Sequence, residues 1–359
     1  MGARLAIMAG GTGGHVFPAL AVAERLRAQG HEVFWIGTRN RMEARLVPEQ
    51  GFPIEWLGIE GLRGRGVLAL LMAPGKLGLA LWQAAAILRR HRPDLVLGMG
   101  GFASGPGGLM AWLLGIPLII QEQNQVPGLT NQWLARLARR VFQAFPGSFP
   151  ASRRAETCGN PVRPDIALLP PPATRLAGRD GPRRLLVVGG SLGARALNEQ
   201  VAPALALLSP AERPLVRHQA GEQTLEVARQ AYAAAGIAAE VSPFIADMAE
   251  AYGWADLILC RSGALTVSEL AAAGLGAILV PYPHAVDDHQ TANARFLAAA
   301  GAAEILPQTQ LNPVILSAVL SRLLGDRPRL LVMAEAARSL AAPDAAGRIA
   351  AACLAEIRA

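Results

Sequence analysis

The sequence predicts an α/β protein made of two Rossmann-like domains, each a parallel sheet covered by helices. Short apolar runs alternate with helix-like segments along the whole chain, a pattern typical of βαβ units. The chain of 359 residues is too long for one ordinary core. Both halves also open on a strand followed by a glycine-rich turn, "MAGGTGGH" in the first and "VVGGSLGAR" in the second.

The predicted strands form two sets of five. They cover residues 4–9, 32–37, 94–100, 117–122 and 141–145 in the first half, and 184–190, 214–219, 238–244, 256–260 and 277–281 in the second. The proline-rich stretch 160–184 separates the sets and is predicted to be a linker. We therefore expect domains over residues 1–162 and 163–340 that face a cleft. The amphipathic segment 341–359 is expected to cross back to the first domain.

Composition limits the class of protein and its partners. Charged residues make up only 17% of the chain, and no apolar run reaches the roughly 18 residues that span a bilayer. The three scattered cysteines predict a reducing compartment without a disulfide framework. The first 162 residues carry 17 Lys and Arg against 9 Asp and Glu. This basic half suits anionic lipid or a diphosphate better than nucleic acid, since aromatic residues are few and no nucleic-acid module is recognisable.

The first glycine turn, within "MAGGTGGHVFPAL" (8–20), is predicted to approach an anion. A strand, a glycine turn and a helix N-terminus together present N–H groups and the positive end of a helix dipole. The turn is not a P-loop, because no Gly-Lys-Ser/Thr follows it. It also lacks the third glycine of the dinucleotide fingerprint, where Val16 stands. His15 is either a helix cap or, beside an anion site, a proton acceptor.

Two segments of the second half carry further polar groups. In "DLILCRSGALTVSELAAAG" (256–274), a Ser-Gly turn leads into a helix beginning near Ala264 that could hold a diphosphate. Glu269 in this helix is either a ligand for ribose hydroxyls or a solvated charge. The loop "VPYPHAVDDHQTANA" (280–294) contains His284, Asp287, Asp288, His289, Gln290 and Asn293. Its spacing matches no zinc motif, so we expect a sugar rather than a metal there.

Seven motifs resemble, in order and spacing, the MurG family of peptidoglycan N-acetylglucosaminyltransferases. They are "GGTGGHVFPALAVA", "GMGGFASGPGG", "EQN", "GNPVR", "VVGGSLGA", "CRSGALTVSE" and "DDHQTANA". The resemblance covers essentially the whole chain, from Met8 to about Arg348. The resemblance implies a GT-B glycosyltransferase fold. It also implies inverting transfer of GlcNAc from UDP-GlcNAc to the C4 hydroxyl of undecaprenyl-diphospho-MurNAc-pentapeptide (lipid I), which gives lipid II. No cofactor or catalytic metal is implied.

The resemblance implies roles for individual residues. The backbone of Ile245 would read uracil, Glu269 would bind the ribose and Gln290 the sugar hydroxyls. The diphosphate would be held by Ser191, Ala264, Leu265 and Thr266, with Val267 and Ser268 completing the motif. From across the cleft, the donor would be contacted by Thr12, Gly13, Gly14, Asn124 and Arg163. The loops "GGTGGH" and "GMGGFASGPGG" (98–108) would cradle the lipid diphosphate, with His15 as the general base.

Two positions depart from the family's pattern. Gln121 stands where members often have the histidine of "HEQN", and Phe102 stands where they often have the tyrosine of "GGYVSG". Both positions belong to the acceptor side, and the first departure favours His15 as the base.

Residues 66–92 predict either a core helix with a basic end or a membrane-docking face. They contain Leu70, Leu71, Met72, Leu77, Leu79, Leu81 and Trp82 beside Lys76, Arg89, Arg90 and Arg92. The implied acceptor is anchored in a bilayer. We therefore expect a peripheral protein on the cytoplasmic face of the bacterial inner membrane, bound to its anionic surface. The resemblance makes other cell-wall and division proteins candidate partners.

Three other functions remain compatible with Rossmann-like loops. The first is a dinucleotide oxidoreductase, which NAD(H) binding would reveal. The second is a non-catalytic subunit that recruits a lipid or sugar nucleotide, which would be expected to lack one half. The third is a UDP-GlcNAc epimerase or another GT-B glycosyltransferase; an epimerase would convert UDP-GlcNAc without any lipid.

Overall fold

A computed structural model describes residues 2–58, 73–190 and 193–358. The chain divides into two compact units, Met1–Val162 with Asp344–Ala359, and Arg163–Pro343. Each unit contains a parallel β-sheet flanked by helices, so the predicted fold class is confirmed.

Within the described residues, the two sheets have seven and six strands. The first has the order β3-β2-β1-β4-β5-β6-β7 and the second β10-β9-β8-β11-β12-β13. The strands of the first unit are β1 (Arg4–Met8), β2 (Glu32–Gly37), β3 (Ile54–Trp56), β4 (Leu95–Gly98), β5 (Leu118–Glu122), β6 (Arg140–Gln143) and β7 (Glu156–Thr157). Those of the second are β8 (Arg184–Val188), β9 (Leu215–Gln219), β10 (Glu240–Ser242), β11 (Leu257–Cys260), β12 (Ala277–Leu279) and β13 (Ala303–Ile305).

The α-helices are numbered in chain order. Those preceding the second unit are α1 (Gly13–Ala28), α2 (Glu43–Glu49), α3 (Ala73–His91), α4 (Ser104–Leu113) and α5 (Leu129–Leu134). The second unit contains α6 (Pro164–Ala167), α7 (Pro172–Leu176), α8 (Arg195–Ala206), α9 (Leu225–Ala235), α10 (Met248–Trp254), α11 (Ala264–Ala273), α12 (His289–Ala299), α13 (Pro313–Leu324) and α14 (Arg327–Ser339). The last helix is α15 (Ala345–Arg358).

The first sheet is buried on both faces. Along β1, Leu5 and Ile7 pack into a cluster that contains residues of α1 and α15, whereas Ala6 and Met8 pack into a cluster with residues of α3 and α4. Side chains of a strand alternate between faces, so a strand covered on both sides is apolar at every position. This explains why "RLAIM" carries no polar alternation.

The C-terminal helix α15 returns to the first unit, as predicted. Ile349 and Cys353 are fully buried in the cluster that contains Leu26 of α1. Packing of an amphipathic helix stripe against a neighbouring helix is the usual source of helix stability in a protein. The helix α15 therefore packs into the same core cluster as the strand β1.

Three short strands and two short helices differ from the predictions. β3, β7 and β13 contain only two or three residues, too few for a recognisable apolar pattern. The predicted linker is wrong over residues 164–176, where α6 and α7 form. Both helices have a proline in their first turn, where a missing N–H costs no hydrogen bond. Among the described residues, no helix is long and apolar enough to cross a bilayer.

Candidate functional site

The glycine turn after β1 is held by one buried carboxylate. Glu43, the first residue of α2, accepts a hydrogen bond from the Gly11 N–H at 2.9 Å through Oε2. Its Oε1 accepts from the Thr38 N–H at 3.1 Å and from Thr38 Oγ1 at 2.6 Å. A Cβ at Gly10 would lie 2.4 Å from Oε1, so any larger residue there would displace this carboxylate. The turns after β1 and β2 are thus bound to the same fully buried group.

The second glycine loop packs directly against the first. Gly100 and Gly101 have φ angles of +94° and +87°, which strongly favour glycine. A Cβ at Gly101 would lie 2.4 Å from the carbonyl oxygen of Gly10, and one at Gly100 would lie 2.7 Å from His15 Nδ1. Two of the segments predicted to face the acceptor therefore lie together, beside the half-buried His15.

Thr12, Gly13 and Gly14 form the start of α1. Thr12 is the extended residue before the helix, and its carbonyl accepts from the N–H groups of His15 and Val16 at 3.1 and 3.2 Å. The first turn of α1 contains no acidic residue. N–H groups of a first helical turn lack acceptors inside the helix, so this end of α1 favours an anion.

Gln123 determines which nitrogen of His15 carries the proton. Its Nε2 donates to the Met99 carbonyl at 2.9 Å and to Gln121 Oε1 at 2.6 Å. A carbonyl can only accept, so the amide NH₂ faces Met99 and its oxygen faces His15. This oxygen lies 2.7 Å from His15 Nδ1, which must therefore donate. The Nε2 atom of the neutral imidazole keeps its lone pair, as a base requires.

The amide network extends to Asn160. Gln121 Nε2 donates to Asn160 Oδ1 at 3.1 Å, and Asn160 Nδ2 donates to the Gln123 carbonyl at 3.0 Å. Gln121 is fully buried, so the residue that departs from the family's histidine supports Gln123 rather than facing solvent. The predicted residue Asn124 follows β5, where Glu122 Oε1 accepts from its N–H at 2.9 Å.

The helix α11 presents its N-terminus at the end of β11. Ala264, Leu265 and Thr266 form its first turn, which contains no acidic residue and follows the extended Gly263. The Val267 N–H donates to the Gly263 carbonyl at 2.9 Å, and Ser268 Oγ donates to the Ala264 carbonyl at 3.0 Å. The five residues predicted from the motif thus form one helical start whose dipole favours a negative charge.

Two arginines bind the opposite end of α11. Arg175 donates to the carbonyls of Ala273 and Gly274 at 2.6 and 2.5 Å, and Arg338 donates to the Ala272 carbonyl. Burial lowers the pKa of Arg175 to about 10, so it remains charged at neutral pH. Cations at a helix C-terminus interact favourably with the dipole. Both arginines lie far along the chain from α11, in α7 and α14.

Glu269 is a buried carboxylate with two partners. Tyr252 Oη donates to its Oε2 at 2.9 Å, and Arg163 donates to its Oε1 at 3.2 Å. Burial raises the pKa of Glu269, and the Arg163 guanidinium opposes that rise. Burial and the Glu269 charge also raise the pKa of Tyr252. Arg163, predicted to contact the donor, belongs to the second unit and pairs with Glu269.

Gln290 lies beside the start of α11. Its carbonyl accepts from Ser262 Oγ at 2.8 Å, and its Oε1 accepts from the Tyr282 N–H at 2.9 Å. With Oε1 engaged, the Gln290 side chain offers its NH₂ group as a donor. The loop before it holds Asp287 and Asp288 at φ angles of +53° and +49°. Among the described residues, no three His, Cys, Asp or Glu side chains are grouped so that they could hold a metal ion.

Two further residues, Ile245 and Ser191, were predicted to contact the donor. Ile245 is half-buried in the loop between β10 and α10, the helix that carries Tyr252. Ser191 lies outside the described residues. Next to it, Gly190 is held by Gln219, whose Oε1 accepts from the Gly190 N–H at 3.2 Å and whose Nε2 donates to the Gly190 carbonyl at 3.1 Å.

Sequence reasoning missed Glu43, Gln123, Tyr252 and Ser262 as supporting residues. Gln123 and Ser262 lie inside the quoted motifs "EQN" and "CRSG", and that membership was the only signal available in the sequence. Glu43 and Tyr252 lie on helices remote in sequence from the groups they bind, 32 and 17 residues away. No spacing rule connects such pairs.

The two units match two domain models of one enzyme family. Residues 5–143 match the glycosyltransferase family 28 N-terminal domain, and residues 184–349 match the glycosyltransferase family 28 C-terminal domain. The matched ranges contain His15, Gln123, Glu269 and Gln290.

Relatives match nearly the whole chain. Proteins of Alkalilimnicola ehrlichii and Marinobacter nauticus are 61% and 57% identical, each over 98% of this chain and over 98% and 97% of their own lengths. Both are named UDP-N-acetylglucosamine–N-acetylmuramyl-(pentapeptide) pyrophosphoryl-undecaprenol N-acetylglucosamine transferase. The crystal structure of Acinetobacter baumannii MurG is 44% identical, with a TM-score of 0.87 over 98% of this chain and 99% of its own.

More distant structures share the fold alone. The UDP-GlcNAc 2-epimerase of Neisseria meningitidis superimposes with a TM-score of 0.66 at 12% identity, over 98% of this chain and 99% of its own. At this identity the likeness carries no information about activity.

We predict that Glu43→Gln lowers the free energy of unfolding by about 1–3 kcal/mol, because an amide NH₂ would face either the Gly11 N–H or the Thr38 N–H. Chemical denaturation monitored by circular dichroism measures the loss. Glu49→Gln, on an exposed position of the same helix, is the matched control and should change stability by less than about 0.5 kcal/mol. Equal losses in the two variants would contradict the role assigned to Glu43.

Proposed function

Because the chain belongs to glycosyltransferase family 28, we infer that it transfers N-acetylglucosamine from UDP-N-acetylglucosamine to undecaprenyl-diphospho-MurNAc-pentapeptide. The observation that carries this conclusion is the identity of 57–61% over almost the full length with transferases named for this reaction. The structure agrees, since one helix, α11, joins an anion-binding start to a buried carboxylate. An epimerase is not favoured, because the epimerase likeness extends to the fold only.

We propose that the second unit binds the donor. The N-terminus of α11 holds the diphosphate together with Ser191, and Glu269 accepts hydrogen bonds from the ribose hydroxyls. The backbone beside Ile245 binds the uracil edge, while the NH₂ group of Gln290 donates to a sugar hydroxyl. Support comes from the chain order: the Ile245 loop leads into α10, and α10 carries the Tyr252 hydroxyl that contacts Glu269.

The first unit supplies the groups that act on the acceptor. The glycine loops beside His15 allow close approach of an anionic backbone to N–H groups, which suits the lipid diphosphate. We assign Thr12, Gly13, Gly14 and Asn124 to contacts with the donor sugar and its phosphate. Arg163 acts instead through Glu269, the residue with which it forms an ion pair.

The transfer is a single displacement. His15 Nε2 takes the proton of the acceptor's C4 hydroxyl while that oxygen attacks C1 of the GlcNAc. The bond from C1 to the diphosphate oxygen breaks, and UDP leaves with the bonding electrons. Inversion follows because the oxygen attacks the face opposite the leaving group. The dipole of α11 stabilises the charge that develops on the diphosphate.

We further propose that α3 docks the protein on an anionic bilayer. Leu77, Leu79 and Trp82 are 45–69% exposed, whereas Ala80 and Ala84 on the same helix are buried. Lys76 and Arg89 on the same helix are also exposed. Exposed apolar side chains together with basic groups are typical of an interfacial helix. Leu70, Leu71 and Met72 lie outside the described residues.

This docking places the protein at the bilayer surface that carries the acceptor. Since the donor is a cytoplasmic nucleotide sugar, we assign it to the cytoplasmic face of the inner membrane. Enzymes that make the acceptor or consume the product, and proteins of cell division, are the partners that this position favours.

Glu269→Gln should raise the KM for UDP-GlcNAc by about tenfold or more and change kcat less, because charge-assisted hydrogen bonds to the ribose are lost. Steady-state transfer to a lipid acceptor, measured in EDTA, tests this. Glu199→Gln, at a partly exposed position of α8, should leave both constants unchanged. An unchanged KM in the Glu269 variant would overturn the ribose assignment, and loss of wild-type transfer in EDTA would overturn the metal-free mechanism.

His15→Ala should lower kcat by about 10²–10⁴ with little change in donor KM, the usual contribution of a general base. Gln123→Leu should also lower kcat, because Nδ1 loses its acceptor and the tautomer is no longer selected. Donor KM should stay close to that of the wild type, whereas a general structural defect would change kcat and KM together. His31→Ala, just beyond the other end of α1, serves as control; an equal loss there would remove the case for His15.

Substituting Trp82 and Leu79 together by serine should weaken sedimentation with anionic vesicles by about tenfold, because apolar area no longer enters the interface. Transfer to a short-chain, water-soluble acceptor should persist at the wild-type rate. Leu168→Ser, an exposed leucine of the second unit, should not affect vesicle binding. Undiminished vesicle binding by the double variant would refute the docking face.

A further inference from the structure

A concave cavity of about 580 Å³ lies in the first unit, and Phe102 of the second glycine loop forms part of its wall. Its walls include Thr38, Arg39, Arg41, Trp56, Lys76 and Phe102. Cavities of this size commonly hold small organic ligands. None of the roles assigned above uses the cationic side chains of this cavity, except that Lys76 lies on the proposed docking helix α3.

The cavity has an excess of positive charge. Arg39, Arg41 and Lys76 line it, and its described lining residues include no Asp or Glu. Among the described residues, none of these three cations forms an ion pair. The acid nearest in sequence to Trp56, Glu55, is engaged elsewhere: it lies 2.6 Å from Arg90 and 2.7 Å from His91 Nε2. The cavity therefore favours an anionic ligand.

One cation is held in place before any ligand arrives. The Arg39 guanidinium lies over the ring of Trp56, 5.6 Å from its centre. A cation–π contact of this kind restrains a flexible arginine and so reduces the entropy lost on binding. Trp56 and Phe102 also supply apolar surface. The ligand that fits is an extended chain with both carboxylates and aliphatic parts.

The cavity wall is connected to the first glycine turn through hydrogen bonds to Glu43. Thr38 on its wall and Gly11 beside His15 both donate to Glu43. Phe102 directly follows Gly101, which packs on Gly10. A ligand in the cavity therefore lies at the same carboxyl edge of the sheet as the sugar that His15 would deprotonate, the edge where open α/β sheets bind ligands.

We propose that this cavity binds the carboxylate-bearing peptide of the acceptor, with Arg39 and Arg41 as its principal contacts. The inference rests on the proposed function, which makes the acceptor a sugar that carries a pentapeptide. An extended pentapeptide spans up to about 17 Å and ends in a carboxylate, so it can reach from a sugar at His15 into an adjacent cavity. A flat lipid surface does not match a concave wall, which favours the peptide over headgroups.

The test compares two acceptors that differ only in charge: the pentapeptide acceptor and one whose peptide carboxylates are amidated. For wild-type protein, amidation should raise the acceptor KM about tenfold. Arg41→Ala should raise the KM of the charged acceptor by a similar factor, with kcat and donor KM nearly unchanged. With the amidated acceptor, the variant and wild type should differ by less than about twofold, because the lost contact is the same. Arg45→Ala, an exposed arginine of α2, controls for net charge.

Two results would overturn the proposal. Equal KM increases for both acceptors would mean that the arginines contact a group other than the peptide carboxylates. An unchanged acceptor KM combined with weaker sedimentation on acceptor-free anionic vesicles would assign the cavity to lipid headgroups. Absence of transfer by wild-type protein to either acceptor would instead refute the proposed function, so the two failures are distinguishable.

Discussion

The first unit depends on the buried carboxylate of Glu43. It satisfies N–H groups from the turns after β1 and β2, which otherwise would be buried without acceptors. Gly10 and Gly101 can then meet backbone to backbone, and His15 stands at the edge of that contact. Because a carboxylate only accepts, and because both its oxygens are engaged, the turns have one arrangement. Hydrogen bonds to Glu43 thereby fix the two turns relative to each other.

In the second unit, the two ends of the helix α11 differ in the charged groups around them. α11 has no acidic residue at its start, and two arginines bind its final carbonyls. The protein thus neutralises the negative end of the helix, while the positive end has no acidic residue and favours an anion. Glu269 sits on the same helix and owes its stability to Tyr252 and Arg163. In the proposed function, this one helix contacts both the diphosphate and the ribose.

Side-chain amides select the tautomer of His15. The Met99 carbonyl orients the amide of Gln123, so that the Gln123 oxygen accepts a hydrogen bond from His15 Nδ1. Gln121 and Asn160 complete the network inside the protein. A glutamine at position 121 is therefore compatible with His15 as the base, since this side chain faces inward. An uncharged network selects the tautomer without placing a second charge beside the imidazole.

The sequence by itself determined the two Rossmann-like units, the return of the C-terminal helix and the motifs at the strand ends, because periodicity and glycine turns are local properties. The tertiary structure alone decided that Arg163 pairs with Glu269, that α6 and α7 form inside the expected linker, and that Glu43 joins two turns. It also decided which side chains line the cationic cavity. These relations join residues from different elements, and such contacts depend on packing, which leaves no regular spacing along the chain.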